Sequence, residues 1–250
     1  MTEPALHIET FGAFIQRERD NYPGNAGNSY ANAFDQLDRY LRFLSIIKKR
    51  HDELEQRYLV STDRMKAIAK SCSDDERPPT DSESVDLARW REHSVHLLLE
   101  MESFFQFAYI ALTKAAGIVE WYFGPQNGFK FGTHDKWTKG AREYCRLKRL
   151  AVPDQLFPIL QRCLNDITDP RSYHLVHEFN TRTIFGIQIS ADGLTSRFKT
   201  HLFPRKNDEH SQFVPVNDAY ILLSDYVGCL AELIVNNRQR GRLRLIAPDP

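Results

Sequence analysis

From Tyr30 the apolar side chains recur as Phe34, Leu37, Leu41, Leu44, Ile47, Leu54 and Tyr58, with His51 in the same register. Steps of three and four collect them on one stripe, so the spacing predicts a long amphipathic helix burying one face. Asn28 or Ser29 is its expected N-cap, and Ser61-Thr62-Asp63 an expected break before a further turn carrying Met65 and Ile68. Residues 71–84, SCSDDERPPTDSES, have no apolar periodicity and hold two adjacent prolines, which predicts a loop between antiparallel helices. Ser84 then caps a second helix reaching about Phe123, whose apolar face runs from Leu87 and Trp90 through Phe104, Phe105 and Leu112 to Val119. A face that broad belongs to the central helix of a bundle.

Before Tyr30, Phe11, Phe14 and Ile15 make a short amphipathic piece, and the breaker-rich run Asn21–Ser29 reads as a loop; residues 1–29 are therefore expected to be peripheral. Residues 124–140 read as a second loop, from Gly124, Pro125, Gly128, Gly132 and Gly140. A helix follows that loop, and another is expected over 153–167 with Leu156, Ile159, Leu160, Cys163, Leu164 and Ile167 apolar. Asp169 as N-cap and Pro170 at the first helical position start one more. The period then changes from helix to strand: Thr183–Ile189 and Leu194–Phe203 flank Ala191-Asp192-Gly193, a hairpin signal. After a charged loop at 204–212, Val216–Asn237 form a last amphipathic helix. The reading is a mainly α protein, an antiparallel helical bundle over 30–250 as one domain, with a β-hairpin inserted near residues 183–203.

Composition narrows the classes. Lys plus Arg and Asp plus Glu number 33 each, so polyanion binding must be argued from local charge. Cys72, Cys145, Cys163 and Cys229 contain no C-x-x-C pair, which removes zinc-finger readings and fits reduced thiols in the cytoplasm. The N-terminus has no basic stretch followed by an apolar run, and charges interrupt the apolar segments, so no membrane association is expected. Gly-rich phosphate loops, H-E-x-x-H and G-x-S-x-G are all missing, which leaves P-loop, metalloprotease and hydrolase readings without a motif.

Two regions carry candidate chemistry beside the Asp169 helix start. Between Lys130 and Arg149, seven basic side chains face only Asp135 and Glu143, a net charge of +5. Lys130, Lys136, Lys139, Arg142 and Arg146 supply cations for backbone phosphate, and Trp137, with Phe129 and Phe131, supplies rings for base stacking, the combination that single-stranded RNA binding requires. On the central helix His93, His96 and Glu100 stand at i, i+3 and i+7, the spacing of a metal-ligand face, but no second constellation completes a shell, and no metal is assigned.

The third region is Arg171-Ser172-Tyr173-His174-Leu175-Val176-His177. Arg171, His174 and His177 share about a third of the helix circumference near the positive end of its dipole, where a guanidinium holds phosphate and an imidazole moves a proton. With five residues between Arg171 and His177, the segment resembles the R-x(4–6)-H signature of HEPN domains. The helix His96–Ala108, acidic and then Ser103-Phe104, is similar to the one that precedes this motif in several HEPN subfamilies. Ser172 stands where the family more often has Asn, Asp or His.

The resemblance implies a helical bundle and a metal-independent endoribonuclease that cleaves single-stranded RNA by 2′-OH attack, leaving a 2′,3′-cyclic phosphate, in a defence or toxin–antitoxin setting. It implies His177 as general acid or base, Arg171 as the phosphate-stabilising group, and His174 as the second proton-transfer group or the motif histidine in a shorter register. Ser172 and Tyr173 are candidate donors to phosphate, and Glu102 or Glu100 a carboxylate that orients an imidazole. No cofactor is implied. The implied partners are RNA, a second copy in a symmetric dimer, and an antitoxin or other defence-system protein. The competing class is a non-catalytic helical module that binds RNA or protein in such an assembly.

Overall fold

Pro23, in extended conformation, marks the true start of the long helix. In the computed structural model, which describes residues 8–126, 128–168, 189–190, 193–194, 203–204 and 213–245, a short helix α1 (Phe11–Arg19) turns through Pro23 into α2 (Gly24–Asp74), a continuous run of 51 residues. At 1.5 Å per residue α2 is about 75 Å long. The antiparallel α3 (Asp81–Phe123) follows, then α4 (His134–Lys148), α5 (Leu156–Cys163) running into a π-helical turn at Leu164–Thr168, and α6 (Val216–Asn236). The described residues are thus mostly helical.

The segment expected to be peripheral is built into the core. Ile8, Phe11, Phe14, Ile15 and Tyr22 are all buried, and Tyr30 stacks between Tyr22 and Phe34 with centroids at 5.1 and 4.6 Å. The glycines and asparagines read as a loop lie inside α2. Gly27 is there for space: a β-carbon would sit 3.0 Å from the Arg19 carbonyl oxygen, where α1 and α2 approach. Burial of Tyr22 and Tyr30 offsets the roughly 1 kcal/mol that a helical glycine costs.

The expected break at Ser61-Thr62-Asp63 does not occur. Ser61 folds its hydroxyl back onto the Arg57 and Tyr58 carbonyls, and Thr62 Oγ1 accepts from Trp90 Nε1 of α3 at 3.0 Å. The loop after α2 is shorter than expected, because Thr80 rather than Ser84 caps α3. The Thr80 side chain accepts from the Glu83 N–H, and the Glu83 carboxylate accepts from the Thr80 N–H at 2.7 Å. Arg77 grips the same carboxylate through two nitrogens at 2.7 and 2.9 Å and holds it down to about 2 in pKa.

The two long helices do different work along their length. The C-terminal half of α3, from Met101 to Phe123, buries Phe104, Phe105, Ala108, Leu112, Ala115, Val119 and Tyr122 at the centre of the bundle. By length and composition α3 could cross a membrane, but this apolar run is core. Beyond His51 on α2 and before Met101 on α3, the described helices pair mainly with each other, as an arm whose buried positions thin to Tyr58, Thr62, Ile68, Ser94, Leu97 and Glu100. The hairpin expected near 183–203 falls mostly outside the described residues. What is described there is a two-residue antiparallel pairing of Ile189–Ser190 with Gly193–Leu194, and beyond it one of Phe203–Pro204 with Phe213–Val214.

Candidate nucleic-acid interface

Residues read as the end of a loop form the first two turns of α4. Thr133 caps it, its side chain accepting from the Lys136 N–H at 3.4 Å, and Arg149 ends it in the left-handed region at φ 54°. With the helix starting at His134, the buried positions become His134, Trp137, Ala141, Tyr144 and Cys145, and the outward positions Lys136, Lys139, Arg142 and Arg146. Four of the expected RNA-binding cations therefore share one exposed face. Lys130, also exposed, precedes them on the connecting segment.

Trp137 does not belong with them. It is fully buried, edge-on to Phe131 at 4.8 Å and to Tyr144 at 6.1 Å, and has no face to offer a base. Phe131 is buried beside it, and Phe129 packs over Gly140, where a β-carbon would lie 2.9 Å from the ring. The expected stacking platform is instead the glue between α4 and the segment before it. That leaves an interface made of charge.

Not all of that charge is uncommitted. Lys139 pairs with Asp135 at 2.8 Å, Arg146 forks onto Glu143 at 2.6 and 2.8 Å, and the Arg142 guanidinium lies 4.3 Å above the Phe157 ring. These are exposed pairs, worth little each and exchangeable for phosphate. The C-terminal residues extend the basic surface: Arg240 donates to the Lys148 carbonyl at 3.4 Å, and Arg242 and Arg244 are exposed beyond it. Their place beside the end of α4 is set by the fold.

Arg171, Ser172, His174 and His177 lie outside the described residues. Just before them, Asp166, Ile167 and Thr168 are buried in the turn that packs against α3 and α4. The chain thus enters the motif segment from a wall of which α4 is part. Glu102 is exposed on α3, whereas Glu100 is buried and ion-paired with Arg50 of α2.

His93, His96 and Glu100, to which the sequence assigned no metal despite their spacing, do not come together as one site. His93 Nδ1 is 3.1 Å from the Ser61 hydroxyl, His96 is exposed, and Glu100 belongs to Arg50. His93 lines a groove of about 370 Å³ between α2 and α3, with Arg57, Arg64, Arg89 and Asp86, a second cationic feature that no sequence motif signals; there Arg64 and Asp86 pair at 2.7 Å. Cys145 and Cys229 are both buried. Burial pushes the Cys145 thiol up to about 12 and Cys229 up to about 11, so neither is a thiolate at neutral pH.

No protein-family model, curated protein or solved structure matches this chain.

Proposed function

We propose that this chain is a HEPN-like endoribonuclease that binds single-stranded RNA on the outward face of α4 and cleaves it with Arg171 and His177, without a metal ion or cofactor. The observation that carries the reading is the placement of α4: it turns Lys136, Lys139, Arg142 and Arg146 outward while packing against Leu164–Thr168, the turn that runs straight into the motif segment. A strand of RNA held by those cations runs along the same helix that this turn packs against.

In the proposed reaction the ribose 2′-OH attacks the adjacent phosphorus, the bond to the 5′-oxygen of the next nucleotide breaks, and the products are a 2′,3′-cyclic phosphate and a 5′-hydroxyl. His177 and His174 divide the two proton transfers, one taking the 2′-OH proton and the other supplying the leaving oxygen. Arg171 stabilises the charge that builds on the phosphate, with Ser172 as a further donor. Glu102 is the carboxylate assigned to orient an imidazole. A symmetric dimer and an antitoxin or defence-system partner complete the proposal. The second reading, a non-catalytic RNA-binding module, is favoured by Ser172, which replaces the Asn, Asp or His that the resembled family more often has after its arginine.

Purified wild type and the Arg171→Ala/His177→Ala variant, incubated with mixed single-stranded RNA in excess EDTA, separate the two. Wild-type-only cleavage leaving cyclic phosphate ends is the expected result. Binding of RNA by both proteins with cleavage by neither selects the binding module.

A further inference from the structure

At the junction of bundle and arm, three side chains of metal-ligating type share one turn of α2. His51, Asp52 and Glu55 each bring a ligand atom to within 4.8 Å of the others. Their spacing explains the grouping, since Glu55 follows His51 by four positions and Asp52 by three, both neighbours on a helix surface. His51 is only 3 % exposed, and its Nδ1 is buried without a hydrogen-bond partner. That nitrogen faces Asp52 Oδ1 at 3.6 Å, too far for a hydrogen bond. A buried ring nitrogen aimed at a carboxylate across an open gap calls for something between them.

The surrounding charges point the same way. Lys48 holds the other oxygen of Asp52, Oδ2, at 2.6 Å and leaves Oδ1 turned towards His51. Glu55, partly buried, brings its carboxylate to the same side one turn further along the helix. From α3, Glu100 gives Oε1 to Arg50 while its Oε2 stays buried and unpartnered. Three carboxylates thus gather around one imidazole with two cations, Lys48 and Arg50, to answer them.

We propose that His51 Nδ1, Asp52 Oδ1 and the Glu55 carboxylate form a site for one divalent transition-metal ion of the zinc class, with Glu100 facing it from α3. One imidazole and two carboxylates suit Zn²⁺ or Mn²⁺ better than a thiolate-seeking ion, and three protein ligands leave a further coordination position. An ion there satisfies the orphaned nitrogen and balances the surplus carboxylate. Because Glu100 faces the site from α3, metal binding stabilises the root of the arm. The site is independent of the ribonuclease reading and takes no part in it.

The test is titration of chelator-stripped full-length protein with ZnCl₂ against a chromophoric competitor, with thermal unfolding followed in parallel. The expected result is one Zn²⁺ per chain and a Tm that rises with free Zn²⁺. Asp52→Asn and Glu55→Gln, both at partly exposed positions, each weaken binding at least about tenfold. His51→Asn removes it, and His96→Asn, at an exposed histidine, leaves it unchanged. Absence of stoichiometric uptake by wild type overturns the proposal, as does an affinity that neither Asp52→Asn nor Glu55→Gln alters. The two carboxylate variants keep the test decisive if His51→Asn does not fold.

Discussion

His134 shows how a single position reports on packing. It is fully buried, with Nε2 placed 3.4 Å from the Leu160 carbonyl and 3.2 Å from the Thr138 hydroxyl, both of which accept from it, and with Nδ1 unpartnered. Burial holds its pKa down to about 4, against an opposing pull from the Leu160 carbonyl and Asp135. In the unfolded chain a histidine titrates near 6.5, so between about pH 4 and 6.5 the unfolded state binds more protons. The contribution of the neutral ring is complete above pH 6.5 and is lost as pH falls towards 4, on the order of 3 kcal/mol. Urea midpoints of wild type are expected to drop across that window, and those of His134→Leu to drop less steeply; parallel curves would assign the pH dependence to other groups. Trp137 gives the residue-scale lesson about legibility. An aromatic among cations reads as a stacking ring, but its direction depends on the phase of the helix, and a start at His134 rather than after Gly140 turns it inward with Ala141 and Tyr144.

At the scale of elements, α4 is the clearest case of sequence pattern becoming surface. Its cations recur every three to four residues, so one start point decides that all of them face out together. Lys136→Gln with Arg142→Gln is expected to weaken single-stranded RNA binding and to lower the slope of log K against log salt by about 0.7 for each phosphate no longer neutralised. Trp137→Phe, which preserves the buried packing, should leave that slope unchanged. An unaltered slope in the double variant would remove α4 from the interface. Among the described residues the existence of the long helices was legible from apolar spacing, whereas helix ends were not. Thr80 and Ser84 are both good caps in sequence, and Thr80 takes the position because Glu83 completes its capping box while Arg77 binds the same carboxylate. Ser61-Thr62-Asp63 looks like a break until Trp90, from the other long helix, supplies a partner for Thr62.

For the whole molecule, the two terminal regions of the described chain are joined. Glu18 of α1, almost fully buried, is gripped by Arg238 through Nε at 2.8 Å and a terminal nitrogen at 2.5 Å, across 220 residues of sequence. Beside this pair Tyr22 and Tyr122 share a hydrogen bond at 2.5 Å, and the Arg242 N–H donates to the Tyr122 carbonyl at 2.8 Å. Gly241 lies against the Tyr122 ring, where a β-carbon would be 2.8 Å from it. Breaking a fully buried pair costs about 3 to 5 kcal/mol; with Arg238 one-third exposed, Arg238→Ala is expected to cost about 2 kcal/mol. The same variant should speed tryptic cleavage at Arg240, Arg242 and Arg244. A denaturation midpoint and cleavage rate matching wild type would show that the tail is held elsewhere.

The helical character of this protein was determined by its sequence alone, because an apolar stripe at a spacing of three and four is a local property that any neighbour can bury. The basic content of residues 130–149 was equally plain. Only the tertiary structure decided which of those residues face outward, that residues 8–22 are core and not fringe, and that His51, read as one more position on an apolar stripe, is buried with a ring nitrogen unmet. Those outcomes depend on what each side chain meets across a helix seam, and partners 30 to 220 residues away leave no periodic mark on the chain.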